Sequence, residues 1–513
     1  MKTLRLFFIA SVLFSFDSIT AQNNATISLL PDENAPVIEK EIYGQFAEHL
    51  GTCIYGGLWV GPDSPIPNVN GYRTDVLNAL KSLQIPVLRW PGGCFADVYH
   101  WTDGIGPQNE RPSLVNIWGG TLEDNSFGTN EFFNLCELLG CEPYLSGNVG
   151  SGTVEELADW VEYITASQGP MAELRRKNGR QEPWKLKYLG VGNESWGCGG
   201  NFTPQFYADT YRRYQTYCRN FDDNRLYKIA SGASDYDYNW TKVMMENAGR
   251  YMDGLSLHYY TIYDWDDKGS ATEFDTERYY YTLGKCLEIE DVLKRHIDIM
   301  NVYDPKQKVG LIVDEWGTWF DEEPGTISGH LYQQNTMRDA MVAALSLNVF
   351  HNYTNRVKMA NIAQIANVLQ SMVLTKGEQM VLTPTYYVFK MYIPHQGATL
   401  IPLKVKSPSV GVFNGKDIPA VSATASTKNE TTTISIVNTS VDKDTQVTIN
   451  LNGIKAQNIS GEILTADAIN AYNDFGKPQA VNTAPFEAKN WKVKNGELTV
   501  SMPAKSIVTL SLK

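Results

Sequence analysis

The sequence predicts an α/β fold: a (β/α)8 barrel of the TIM type, followed by an all-β, jelly-roll-like sandwich. Three observations predict it. Short apolar strands alternate with amphipathic helices eight times between residues 40 and 396. No Gly-rich dinucleotide fingerprint supports the rival, a doubly wound sheet. From about Gly397 the helical period gives way to Thr- and Val-rich alternation.

Taken in order, Ala25 to Leu30 alternates as a strand, and the segment 22–39 is assigned to the sandwich despite its early position. The first barrel strand is Ile42 to Phe46. Tyr72 to Leu83 then places Val76, Leu80 and Leu83 on one helical face. Ile85 to Leu88 is the second strand and Glu142 to Leu145 the third; Val154, Leu157, Val161 and Ile164 mark the next helix. Leu186 to Val191 is the fourth strand, Phe206 to Tyr217 a helix, and Tyr227 to Ala230 the fifth strand. Leu255 to Leu257 is the sixth, Leu283 to His296 one helix, and Val309 to Val313 the seventh. Asn335 to Leu347 is helical, Val357 to Ile362 is the eighth strand, and Pro384 to Tyr392 the closing helix. Within 397–513, Thr431 to Val437, Thr445 to Leu451, Glu497 to Met502 and Ser506 to Leu512 read as sandwich strands.

A chain of 513 residues accommodates such a barrel plus one smaller domain. The net charge is -13, and no run of Lys or Arg is long enough to follow a phosphate backbone, so nucleic acid is excluded as a partner. Lys2 and Arg5 precede an apolar run, Leu6 to Phe16, and Ala21 supplies a small residue before Gln22. This pattern predicts a signal peptide over 1–21 and a secreted or periplasmic protein. The run is too short to span a bilayer and no other stretch is longer, so membrane insertion is not expected. The seven cysteines are scattered, with no metal-ligand cluster; an odd number leaves at least one thiol free or paired between chains.

Barrel active sites form at the C-terminal ends of the strands. There the sequence places Glu48-His49, Arg89-Trp90-Pro91-Gly92-Gly93, Asn193-Glu194-Ser195-Trp196, His258-Tyr259-Tyr260, Asp314-Glu315-Trp316 and Gln364. A single Glu after a strand ordinarily caps a helix or pairs with a Lys. Two of them, Glu194 and Glu315, after the fourth and seventh strands and each near Trp, suit glycosidic cleavage. One carboxyl protonates the leaving oxygen while the other attacks the anomeric carbon or activates water. Strand alternation turns Asp314 away from Glu315. His258 is expected to hydrogen-bond a carboxylate rather than ligate a metal, and Asp97 and Asp103 to serve structure or binding. Trp101, Trp118 and Trp319 are candidates for the pocket wall, and no cofactor or metal is expected. The Asp264, Asp266, Asp267 loop lacks calcium-loop spacing and reads as a solvated acidic loop.

The segments IYGQFAEHLG (42–51), VLRWPGGCFADVYHW (87–101), YLGVGNESWGCGG (188–200), LSLHYY (255–260), LIVDEWGTWF (311–320) and MANIAQIANVLQ (359–370) resemble the α-L-arabinofuranosidases of glycoside hydrolase family 51. The resemblance covers the whole barrel; the sandwich matches only in general character. It implies release of terminal non-reducing α-L-arabinofuranosyl groups with retention, on arabinose-containing plant-type polysaccharides or oligosaccharides. It also implies a homo-oligomer, with Glu194 as acid/base and Glu315 as nucleophile, the latter kept ionised by Arg89. Glu48, Arg89, Asn193, Tyr260 and Gln364 match positions that contact the sugar or the nucleophile. Cys94 stands where many members carry a sugar-binding Asn; either its thiol makes a weaker hydrogen bond there or a neighbour replaces the contact. The competing readings are an endo-β-1,4-glucanase or β-xylosidase on the same barrel and, from another class, a noncatalytic carbohydrate-binding protein.

Overall fold

Eight strands, Gly44–Phe46, Val87–Trp90, Glu142–Gly147, Tyr188–Val191, Tyr227–Ser234, Gly254–Thr261, Gly310–Thr318 and Val357–Ala363, are buried along most of their length. Parallel strands covered on both faces read as near-continuous apolar runs, which is the pattern here. In the computed structural model, which describes residues 23–513, they pair in parallel in chain order and close into a barrel. The expected signal segment, 1–21, lies outside the described residues. No described helix is long and apolar enough to cross a membrane.

Val87, Tyr144, Tyr188, Ile229, Ile312 and Met359 form a separate buried cluster within the ring of strands. Two residues further along their strands stand Arg89, Ser146 and Asp314, which the period of two keeps on the same inner face. The barrel is thus apolar toward its N-terminal end and charged toward its C-terminal end.

The covering helices follow from local sequence. Thr74–Leu83 buries Val76, Leu77, Leu80 and Leu83. Val154–Thr165 starts on a reciprocal cap, with Thr153 Oγ1 accepting from the Glu156 N–H and Glu156 from the Thr153 N–H. The single helix expected over Leu283 to His296 is two, Thr276–Leu287 and Ile289–Tyr303. The break falls at Glu288, whose carboxylate is held by Tyr236, Lys285 and Asn414.

Eleven further strands make two facing sheets. One orders Leu403–Lys406, Asn23–Leu29, Thr445–Asn450, Glu497–Met502 and Trp491–Lys494; the other holds Val421–Lys428, Thr431–Asn438, Ser506–Leu512 and Ile459–Thr465 between two short edge strands. Ile27, Val447, Ile449, Ile434, Ile436, Val500 and Leu510 fill the space between the two sheets. The strand Val421–Lys428 turns Val421, Ala423 and Ala425 into that core. Its other face presents Ser422 and Thr424 to barrel helix Met337–Asn352, and Ser426 to His395.

Candidate active site

At the second strand end, Arg89 is 1% exposed and fully engaged. Its Nη1 donates to Glu315 Oε1 at 2.9 Å and to the Asp314 carbonyl at 3.1 Å; Nη2 donates to Asn193 Oδ1 at 2.6 Å and Nε to Ser146 Oγ at 3.2 Å. The Phe46 ring lies against the guanidinium, 4.5 Å from its centre. Desolvation of a buried cation is costly unless it is paired and hydrogen-bonded. Burial works against the charged form here, but Asp314 and Glu315 outweigh it and push the guanidinium pKa up.

The expected outward turn of Asp314 is corrected. Asp314 Oδ2 accepts from Tyr144 OH at 2.6 Å and lies 3.7 Å from Arg89 Nε, in the same inner cluster as Glu315. The reason is a bulge: pairing with the eighth strand skips between Val313 and Trp316, and with the sixth between Ser256 and His258. The extra residue breaks strict alternation, so two consecutive acids face inward. Burial raises the Asp314 carboxyl, but Arg89 and His258 outweigh it and hold it below the usual range.

Glu194 follows a sharp exit from the fourth strand. Gly192 takes φ 90° and Glu194 itself φ 38°, a left-handed conformation that costs a non-glycine residue about 1–3 kcal/mol. Three bonds hold it: the Ser195 N–H donates to Ser231 Oγ, and the Gly197 and Gly199 N–H groups donate to the Glu194 carbonyl. Burial raises the Glu194 carboxyl, the hydrogen bond from His258 lowers it, and the charge of Glu315 raises it again; the net direction is up.

His258 sits between the carboxylates. Its Nδ1 is 2.8 Å from Glu194 Oε1 and 3.5 Å from Glu315 Oε2; its Nε2 is 3.3 Å from Asp314 Oδ1. Burial disfavours the imidazolium, but Glu315, Asp314 and Glu194 outweigh it and push the pKa up to about 10. Tyr260 OH donates to Glu315 Oε2 at 2.9 Å. On the far side, Glu48 Oε1 accepts from the Gly93 and Phe95 N–H groups and Oε2 from Gln364 Nε2. Burial, with the charge of Glu315, pushes Glu48 up to about 7.

Around these groups is a pocket of about 150 Å³ whose wall includes Trp118, Trp196, Trp265, Trp319, Cys94 and Asp235. Trp319 lies edge-on to Tyr260 and to Trp265. Trp101 is not in the wall: it is buried, stacks on Trp160 and donates Nε1–H to the Glu156 carbonyl. Asp97 accepts from the Val149 and Gly150 N–H groups and ties loops together. Trp265 and Asp235 were not anticipated. Trp265 lies in the loop read only as acidic, and its 57% exposure beside a pocket is the signal that marks it. A wider crevice of about 730 Å³ near Arg212, Asp253 and Lys308 contains none of these carboxylates.

Cys94 carries no thiol hydrogen to offer a sugar. It is joined to Cys198, 104 residues on, in the one disulfide among the described residues, with Cα atoms 5.5 Å apart.

Comparison with known proteins adds two family models, the α-L-arabinofuranosidase 1 domain over residues 79–279 and the α-L-arabinofuranosidase C-terminal domain over 314–506. The chain is 65% identical over 500 residues to an intracellular exo-α-L-arabinofuranosidase of Bacteroides ovatus, covering 97% of each. Among solved structures it is similar to the GH51 arabinofuranosidase of Xanthomonas axonopodis pv. citri, at 47% identity and TM-score 0.94 over 96% of this chain and all of that one. It is also similar to the Thermotoga maritima α-L-arabinofuranosidase in its arabinose complex, at 29% identity and TM-score 0.83 over 96% and 99%. The Bacteroides relative overturns the expectation of export: an enzyme this similar over its whole length is intracellular, and the apolar N-terminal pattern does not carry a secreted or periplasmic location against it.

Proposed function

The chain belongs to the α-L-arabinofuranosidases of glycoside hydrolase family 51 and is an exo-acting glycosidase, and from that premise we propose that it works with retention, by double displacement on Glu315 with Glu194 as acid and base. The observation that carries this reading is a spacing. An oxygen of Glu194, an oxygen of Glu315 and a ring nitrogen of His258 all lie within 4.8 Å of one another. Retaining glycosidases hold their carboxyls about 5–5.5 Å apart, whereas inverting ones leave about 6.5–9.5 Å for a water.

In the first step a Glu315 oxygen attacks the anomeric carbon and the leaving oxygen takes the proton of Glu194. In the second, water gives a proton to Glu194 and displaces Glu315 from the anomeric carbon. Arg89 and Tyr260 each donate to a different Glu315 oxygen and so orient the nucleophile. Asn193 accepts from Arg89 through Oδ1, while its Nδ2 donates toward Cys198 Sγ at 3.9 Å, which ties it to the Glu194 side of the site. Glu48 and Gln364, hydrogen-bonded to each other, bind sugar hydroxyls.

The substrates are terminal non-reducing α-L-arabinofuranosyl groups of arabinose-containing polysaccharides and oligosaccharides. A small pocket walled by four Trp side chains suits one terminal ring better than the long cleft of an endo-glucanase or xylanase. The test is proton NMR of 4-nitrophenyl α-L-arabinofuranoside hydrolysis, with Glu315→Gln as control. Retention predicts α-L-arabinofuranose as the first product; first appearance of the β anomer would overturn the mechanism, and turnover by Glu315→Gln would overturn the nucleophile.

A further inference from the structure

The two oxygens of Glu194 have different neighbours. Oε1 faces His258 at 2.8 Å, while Oε2 faces the disulfide, 3.7 Å from Cys94 Sγ and 3.5 Å from Cys198 Sγ. One ligand atom from each of Cys94, Glu194 and Cys198 lies within 4.8 Å of the others. Nothing in the two-carboxylate mechanism calls for two sulfurs at the proton donor.

We propose that, once the Cys94–Cys198 disulfide is reduced, both sulfurs and Glu194 Oε2 form a binding site for a thiophilic divalent cation of the zinc type, and that the bound cation takes Glu194 out of proton transfer. The second half rests on the reading of Glu194 as acid and base.

Several observations support the site. Cys198 is exposed and Cys94 half-buried, so a reductant and then a cation can reach the pair. Disulfides at exposed positions persist in oxidising compartments and are reduced in the cytosol. The two loops are anchored independently of the bridge. Gly93 and Phe95, on either side of Cys94, donate their N–H groups to Glu48, while Gly197 and Gly199, flanking Cys198, donate to the Glu194 carbonyl. Gly199 admits no side chain, since a Cβ there would meet the Asn193 carbonyl at 1.8 Å, so that turn stays folded against the site. Reduction therefore frees the sulfurs to separate while leaving both loops in place. Bonds of about 2.3 Å to sulfur and about 2.0–2.2 Å to carboxylate oxygen let one tetrahedral ion span all three, with a fourth position open toward the pocket. Thiolates select zinc-like ions over hard cations such as Mg²⁺ or Ca²⁺.

The chemistry balances with a trialkylphosphine as reductant. Phosphorus gives two electrons to the S–S bond and takes an oxygen from water, and the two water protons end on the two sulfurs. Cation binding then releases the thiol protons to solvent as the metal–sulfur bonds form.

The test uses Cd²⁺ as the probe, added to oxidised enzyme, to enzyme reduced by phosphine and desalted without air, and to reduced Cys198→Ser. Two readouts are followed: the ultraviolet thiolate-to-cadmium charge-transfer band, and hydrolysis of an alkyl α-L-arabinofuranoside relative to each protein's own metal-free rate. The expected result is a band saturating at one ion per chain in the reduced enzyme only. Its activity falls about 10²-fold or more and returns with chelator, the size of a lost general acid, while the other two samples change by less than about twofold. Absence of the band in reduced enzyme, or a band of equal strength in Cys198→Ser, overturns the site; a band without loss of activity overturns the sequestration of Glu194. If Cys198→Ser does not fold, Cys198→Ala takes its place. Failure of the metal-free enzyme to hydrolyse any arabinofuranoside would count against the proposed function alone, because the band still decides the site.

Discussion

His258 Nδ1 lies 2.8 Å from Glu194 Oε1, so the proposed proton donor is held by an imidazole that its carboxylate neighbours push up to about 10. Burial and the charge of Glu315 raise the Glu194 carboxyl, and His258 opposes them. In His258→Gln the opposing charge is gone and the Glu194 pKa moves further up. In the proposed mechanism the acid form of Glu194 is the active one, so the alkaline limb of the kcat/KM profile on a poor leaving group should shift to higher pH. A limb that stays in place or moves down would remove His258 from this role.

The two glutamates are distinguished by leaving-group dependence. Glu315→Gln is expected to lose on the order of 10⁴-fold or more on every substrate, because no covalent step remains. Glu194→Ala should lose about 10²–10⁴-fold on alkyl arabinofuranosides, but far less in the first step with 4-nitrophenolate, which leaves without a proton. Burst kinetics with the aryl substrate check this directly: equal losses on both leaving groups would contradict the assignment.

The parts of the molecule legible in the sequence are those governed by local period. The barrel strands are short runs buried on both faces, and the polar residues that follow them converge because strand ends of a closed barrel converge. What was not legible depends on contacts distant in sequence. Cys94 meets Cys198 only because the second and fourth strand exits share one rim. Asp314 stays in phase with the inward Ile312, and the bulge between Val313 and Trp316 brings Glu315 to the same inner face; a bulge has no signature in Val313-Asp314-Glu315. Val421–Lys428 is not legible as a strand because its core face is mostly Ala and its other face bonds a helix, so there is little polarity contrast to read.

Trp101 and Trp319 look alike in sequence but predict opposite phenotypes. Trp319→Ala removes pocket wall and should lower kcat/KM about tenfold with little change in stability. Trp101→Phe removes the Nε1–H that the Glu156 carbonyl accepts beside its helical partner and should cost about 0.5–1.5 kcal/mol in urea unfolding, with KM unchanged. A KM effect in Trp101→Phe would place that ring in the substrate path after all.

The contact between barrel and sandwich should make stability depend on pH. His351 and His395 are both 0% exposed, with ring centroids 5.3 Å apart. His351 bonds Tyr43 OH and Thr424 Oγ1; His395 bonds Ser426 Oγ and Ser435 Oγ. Hydroxyls serve neutral imidazoles on both nitrogens, and no carboxylate is among these partners. Burial pushes His395 down to about 3, and burial with the neighbouring His395 drives His351 well below its ordinary value. A histidine with a depressed folded pKa binds fewer protons folded than unfolded. Its contribution is therefore complete above the unfolded value near 6.5 and is lost as pH falls toward the folded one. For His395 alone the loss at pH 5 is about 2 kcal/mol. Urea unfolding at pH 7.5 and at pH 5 measures it, with His395→Gln as the comparison. The variant is less stable at pH 7.5 but should lose about 2 kcal/mol less than wild type between the two pH values, because Gln takes up no proton on unfolding. Equal losses in the two proteins would mean that acid destabilisation originates elsewhere, and the buried histidine pair would then be only a packing feature of the interface.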